Sequence, residues 1–163
     1  MILPHAKHNH RNFCRYSHLT DSHVALLSLI NHVRELENMK ELSPIKVLVV
    51  EDTEICQKIA LFMLSQPSYL TDLAVSGKEA LAKYSRGYDV ILMDLGLPDI
   101  SGLDVCRHIR EKIGDRNIPI IAYSANSDSL FQECLEAGFS QVLLKPTERR
   151  VLDQIIKNLV DKK

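Results

Sequence analysis

The feature that most constrains this chain is an alternation that begins at Ile45, where short, continuous apolar runs are separated by longer stretches with helical spacing. The runs are KVLVVED (46–52), a weaker segment over 70–75, YDVILMD (88–94), IPIIAYS (118–124) and QVLLK (141–145). A strand that is apolar at successive positions has no wet face and must be covered on both sides, as in parallel sheets built from strand–helix–strand units. Right-handed crossovers leave few topologies. The expected fold is α/β, a doubly wound five-stranded parallel sheet in the order 2-1-3-4-5.

Between the runs, TEICQKIALFMLSQ (53–66) has helical spacing at Ile55, Ile59 and Phe62. Ser76-Gly77-Lys78-Glu79 has the form of a capping box. Ser101 with Asp104 opens another helix, which Gly114 should end, and a further helix runs to Ala137 ahead of Gly138. The last helix carries Val151, Leu152, Ile155, Ile156 and Leu159 on one face.

Residues 1–44 differ from the rest. Six of the seven histidines fall there, the first twenty residues show no periodicity, and Leu26, Leu29, Ile30, Val33, Leu36 and Met39 form a helical stripe before Ser43-Pro44. The expected organisation is an N-terminal tail and amphipathic accessory helix over 1–44, then one domain over 45–163. An apolar stripe left in water invites a partner, and a homodimer through residues 21–42 is the expected one. His5, His8 and His10 sit on no rigid element, and His32 lacks the surroundings of a phosphorylated kinase histidine, so neither is assigned chemistry.

Composition excludes some functions. A net charge of −1 provides no broad basic field for a phosphate backbone, so nucleic acid is not an expected partner. No apolar run approaches the ~20 residues that span a bilayer, and the N-terminus lacks a signal-like apolar segment, so a cytoplasmic protein without a membrane partner is expected. Cys14, Cys56, Cys106 and Cys134 form no CxxC pair and read as reduced thiols.

Sites in open parallel sheets form outside the carboxyl ends of the strands, where the winding direction reverses. Here strand 1 ends in Glu51-Asp52, strand 3 in Asp94, strand 4 in Ser124 and strand 5 in Lys145-Pro146. With strands 1 and 3 adjacent, three carboxylates share one crevice and repel one another unless a hard divalent cation sits among them. Mg2+ suits such a site because it takes one or two carboxylates and leaves room for a phosphate oxygen. Lys145 adds a fixed charge and Ser124 a hydroxyl donor, which together suit a phosphoryl group in transfer. Asp94 is the candidate nucleophile, and its product is an acyl phosphate.

The motifs VLVVEDTEICQKIA, VILMDLGLPDISGLDV, IIAYSAN and VLLKP, in this order and spacing, resemble the CheY-like receiver domain of two-component response regulators. LPDISGLDVCRHIR and ECLEAGFSQVLLKP look most like receivers of hybrid sensor histidine kinases. The resemblance covers roughly Ile45 to Val160 and implies a flavodoxin-like fold. It implies that Asp94 is the phosphoacceptor, that Glu51 and Asp52 hold Mg2+, and that Gly96 offers the metal its backbone carbonyl. It also makes Ser124 the switch hydroxyl and Lys145 the phosphoryl contact, with a cis Lys145-Pro146 bond. The implied partner is a sensor histidine kinase or histidine phosphotransfer protein. Two positions depart from the pattern: Val142 stands where receivers that drive output domains usually carry Tyr or Phe, and Gly96 has no polar side chain.

Such a module is a phosphoacceptor that promotes its own phosphoryl transfer and loss rather than an enzyme acting on another substrate. Since the chain ends soon after the last helix, its output is expected to be a protein contact. The alternative is a receiver-shaped adaptor that works without phosphorylation. A nucleotide- or flavin-binding reading is disfavoured because the turn after strand 1, Glu51-Asp52-Thr53-Glu54, is acidic and has no glycine to cradle a phosphate.

Overall fold

The computed structural model describes residues 25–26, 28–30, 32–33, 43–84, 87–125 and 131–162. The chain divides into two compact units, Met1–Ser43 and Pro44–Lys163. In the first, residues 25–26, 28–30 and 32–33 are helical, and Leu26, Leu29, Ile30 and Val33 are exposed. Leu36, Met39 and the histidines before residue 25 lie outside the described residues.

In the second unit the elements alternate as the sequence requires: β1 Ile45–Val50, α1 Glu54–Met63, β2 Tyr69–Ala74, α2 Gly77–Lys83, β3 Val90–Met93, α3 Gly102–His108, β4 Ile120–Ser124, α4 Phe131–Ala137, β5 Gln141–Leu144 and α5 Arg149–Val160. All four neighbouring pairs are parallel, in the order β2-β1-β3-β4-β5. Val47 and Val49 face a core with α1 and α5, whereas Leu48 and Val50 face a core with α2, α3 and α4. Period-two alternation thus sends each β-branched or aliphatic residue into one of two dry layers.

The helix signals hold, with two refinements. Ser76 Oγ accepts from the Glu79 N–H at 3.2 Å, but the Glu79 carboxylate reaches back to the Val75 N–H at 2.8 Å, one residue earlier than a standard box. α3 does not stop at His108 but widens into a π-helical turn over Ile109–Ile113, which Gly114 ends at φ 78°. Arg110 in that turn donates to the carbonyls of Gly138, Asp115 and Ile118 at 3.0, 2.9 and 2.8 Å, tying the approaches to β4 and β5 together.

α1 and α5 pack on the same sheet face in different ways. In α5, Leu152 and Ile156 are fully buried as the stripe predicts, though Val151 at its edge is exposed. In α1 the periodic residues turn outward: Ile55, Ile59 and Phe62 are 69%, 47% and 69% exposed, while Ala60 and Met63 face the sheet. Both sides of α1 are apolar, so its periodicity identifies a helix without choosing its inner face. The small Ala60 lets that side approach the strands.

Candidate functional site

Register brings the strand ends level. Val50 pairs with Met93, so the next residues, Glu51 and Asp94, leave the sheet side by side, and the Asp94 N–H donates to the Val50 carbonyl at 2.9 Å. Ser124 pairs with Leu144, and the following Lys145 N–H donates to the Ser124 carbonyl at 2.9 Å. The winding reversal lies between β1 and β3, where a crevice is expected. Glu51 and Asp94 therefore leave the sheet at that point, Lys145 reaches them from the end of β5, and Ser124 ends the intervening β4.

Among the described residues, Glu51, Asp52 and Asp94 form an acidic group in which one carboxylate oxygen from each lies within 4.8 Å of the others. Asp52 is exposed, while Glu51 and Asp94 are buried. Lys145 reaches between the two buried carboxylates, with Nζ 2.7 Å from Asp94 Oδ1 and hydrogen-bonded to Glu51 Oε2. Asp94 Oδ2 accepts from the Gly96 N–H at 3.0 Å. The Thr53 N–H faces Glu51 Oε1 at 3.4 Å, and Gln57 donates to the Glu51 carbonyl at 3.0 Å.

Burial and charge pull against one another here. Desolvation pushes the Glu51 carboxyl above its usual range, with the Asp94 charge adding to that push and the Lys145 ammonium opposing it. Burial alone would lower the Lys145 amine, but hydrogen bonds to Asp94 and Glu51 outweigh it and hold the ammonium above its ordinary value. One lysine thus compensates two buried carboxylates, leaving a site with spare negative charge. Three convergent oxygen donors, one on an exposed side chain, suit a hard divalent cation. The donor chemistry fits a metal that needs no nitrogen or sulfur ligand.

Two residues without a sequence assignment build the loop around Asp94. Asp99, in the Leu97-Pro98-Asp99 turn, accepts from the Gly77 and Lys78 N–H groups at 2.8 and 3.0 Å and so caps α2. Some desolvation opposes ionisation, yet backbone donors from Lys78, Ile100 and Gly77 pull its carboxyl down to about 2. Gly102, the first residue of α3, lies against the strand end. A Cβ there would fall 2.2 Å from the Asp94 carbonyl oxygen, so any side chain would displace the residue that carries the central carboxylate. The signals were present: an aspartate in a proline turn, and a glycine directly after the Ser101 cap.

The Lys145-Pro146 bond is cis. Ser124 ends β4 and is buried, and the segment that follows, 126–130, lies outside the described residues. Val142 packs in the core layer under α2–α4.

The family model of the response regulator receiver domain matches residues 47–157. The aerobic respiration control sensor protein ArcB of Escherichia coli K12 is 35% identical over 127 residues, which are 77% of this chain and 16% of that protein. Hybrid signal transduction histidine kinase L of Dictyostelium discoideum is 36% identical over 120 residues, 69% of this chain and 7% of that protein. The chain therefore spans a small part of the length of these relatives. Among solved structures, the receiver domain of sensor histidine kinase PA1611 from Pseudomonas aeruginosa PAO1 aligns at TM-score 0.67 with 34% identity, over 73% of this chain and 99% of that one. That structure has a magnesium ion coordinated in its active site cleft.

Proposed function

This chain belongs to the response regulator receiver domain family, and on that footing we propose that Asp94 accepts a phosphoryl group from a histidine of a sensor kinase or phosphotransfer protein. One observation carries the reading. The Asp94 carboxylate lies at the switch point of the sheet, with one oxygen on the Lys145 ammonium and with Glu51 and Asp52 beside it. An adaptor with no phosphoryl chemistry would gain nothing from two buried like charges, which cost stability unless fully compensated.

In the proposed step an Asp94 oxygen attacks phosphorus as the P–N bond to the imidazole breaks. The departing nitrogen keeps the bonding electron pair, and with the other ring nitrogen protonated the histidine leaves as neutral imidazole. Asp94 Oδ2 is aimed by the Gly96 N–H, and Lys145 is placed to meet the charge on the phosphoryl oxygens. Asp52, Asp94 and Glu51, with the Gly96 carbonyl, would hold Mg2+. Such an ion supplies positive charge to the transferring oxygens and relieves the repulsion among the carboxylates. Ser124 would offer its hydroxyl to a phosphoryl oxygen and relay the change into the loop that follows.

The outward stripe of α1 supports the same partner. α1 begins at Glu54 beside the acidic crevice, so the exposed Ile55, Ile59 and Phe62 run away from it along the helix and offer an apolar face on which a histidine-bearing helix would rest. The exposed Leu26, Leu29, Ile30 and Val33 support pairing of two copies through residues 21–42, with 45–163 as the independent receiver. The cytoplasm, where histidine kinases present their phosphohistidine, is the proposed location.

The test is intact-mass measurement after incubation with acetyl phosphate and Mg2+. One phosphoryl adduct is expected on the parent and none on Asp94→Asn. An unlabelled parent would support the adaptor instead, and full labelling of Asp94→Asn would place the acceptor elsewhere. Asp52→Ala should lose Mg2+ binding. Deleting residues 1–43 should leave labelling intact and take the assembly from two copies to one in light scattering; the same number of copies before and after would exclude pairing through the accessory helix.

A further inference from the structure

Lys145 leaves the end of β5 and has to cross the end of β4 to reach Asp94 on β3 and Glu51 on β1. A four-carbon stem with several free rotors does not hold such a reach by itself, since ordering a lysine side chain gives up much of its rotamer freedom. The two carboxylates hold the ammonium, but in the proposed reaction Asp94 becomes an acyl phosphate and Glu51 also faces the metal. Their grip therefore changes when the group they position arrives.

A third holder lies under the lysine. Tyr123, the penultimate residue of β4, is 4% exposed, and its ring centroid is 5.3 Å from Lys145 Nζ, within the range of cation–π attraction. Tyr123 therefore meets the ammonium through the face of its ring. It belongs to the core layer with α1 and α5, on the opposite side of the sheet from Val142, so it does not stand in for the missing aromatic at that position.

We propose that Tyr123 is a positioning residue that holds Lys145 for the phosphoryl group through a neutral contact, one that persists when Asp94 takes up the phosphoryl group. A ring quadrupole has no proton to gain and offers a hard cation no ligand. It steadies the lysine without competing for the metal. This inference rests on the phosphoacceptor reading, and the experiment below separates the two.

In the full chain, Tyr123→Phe keeps the ring and Tyr123→Leu keeps only apolar bulk. Mg2+ affinity should be within about twofold of the parent in both. Affinity for beryllofluoride, the phosphoryl mimic, measured with saturating Mg2+, should be kept in Tyr123→Phe and fall by about fivefold to thirtyfold in Tyr123→Leu, from a buried cation–π contact. The Lys145 ε-protons, read by NMR without any mimic, should be shifted upfield by the ring in the parent and Tyr123→Phe, and not in Tyr123→Leu.

Parent-like beryllofluoride binding in Tyr123→Leu overturns the proposal, as does an equal loss in both variants, which would point to the hydroxyl. If Tyr123→Leu does not fold, the parent still decides, because ε-protons without an upfield shift refute the contact. If the parent binds no beryllofluoride, the phosphoacceptor reading fails, and the ε-proton shifts still report whether the ring holds the ammonium.

Discussion

The two ends of the sheet treat carboxylates in opposite ways. Around the amino ends of the strands, three tyrosine hydroxyls each donate to one carboxylate: Tyr69 to Asp153 at 2.7 Å, Tyr84 to Asp115 at 2.6 Å and Tyr88 to Asp72 at 2.8 Å. Despite some desolvation, those hydroxyls hold the Asp115 and Asp153 carboxyls below their usual range, with the Ile118 and Asn117 N–H groups helping at Asp115 and the Lys157 ammonium, 3.0 Å away, at Asp153. At the carboxyl ends, Glu51 and Asp94 share one lysine and burial pushes Glu51 upward. Carboxylates that each have their own donors add to stability at neutral pH, whereas crowded ones that share a donor subtract from it. One end fastens the fold. The other keeps charge ready for a ligand that is not part of the chain.

The largest effect should come from removing the lysine that pairs with both carboxylates at the crowded end. Lys145→Ala leaves two buried carboxylates facing each other and should cost about 3–5 kcal/mol in urea unfolding at pH 7. Lowering the pH should recover part of this as Glu51, raised above its ordinary 4.5, takes up a proton. A deficit that is the same at pH 7 and pH 4 would mean that the packing of the lysine stem, and not its charge, matters.

At the fastened end, Tyr69→Phe removes one donor to a carboxylate and should cost about 1–2 kcal/mol at pH 7. The native Asp153 carboxyl lies below its ordinary 3.8, so its contribution is present above that pH and is lost as pH falls through the native value. This deficit should therefore close only below pH 3.8, where that of Lys145→Ala has already begun to close. Matching pH profiles for the two variants would erase the distinction between the ends. Mg2+ at ten times its dissociation constant should add about 1.4 kcal/mol to the parent by mass action and nothing to Asp52→Ala, where the crowded end has lost a ligand.

The contrast also shows what could be read from the sequence. Strand order and the convergence of Glu51, Asp52, Asp94 and Lys145 were legible, because continuous apolar runs dictate a covered parallel sheet and polar residues at four run ends have one place to meet. The tyrosine–carboxylate pairs were not legible, since Tyr69 and Asp153 are 84 residues apart and no local pattern joins them. Asp99 and Gly102 carried local signals, a proline turn and a glycine after a cap, but these did not reveal what the two residues touch. Their roles depend on how closely the loop after β3 approaches α2 and Asp94, and spacing along the chain carries no such distance. The inner face of α1 was hidden for a different reason, because an apolar residue kept for a partner and one kept for the core look the same in a sequence.

The smallest and most diagnostic effect is a gain. Asp94→Asn removes one of the two buried negative charges, keeps a side-chain oxygen to accept from Lys145, and leaves that ammonium to compensate Glu51 alone. The Glu51 carboxyl, which the Asp94 charge helps to raise, should move back toward 4.5. A carboxyl raised in the folded state contributes stability that is full below its unfolded value and is lost as pH rises through the folded one, so the variant should lose less on going from pH 4 to pH 7. We expect it to be more stable than the parent by about 1 kcal/mol at pH 7, with the gap narrowing toward pH 4. Mg2+ should reverse the order by stabilising the parent more, since the variant lacks one of the charged ligands. If Asp94→Asn is instead less stable than the parent at pH 7 without Mg2+, then Asp94 is a structural partner of Lys145, and the crowded end is fastened as firmly as the other.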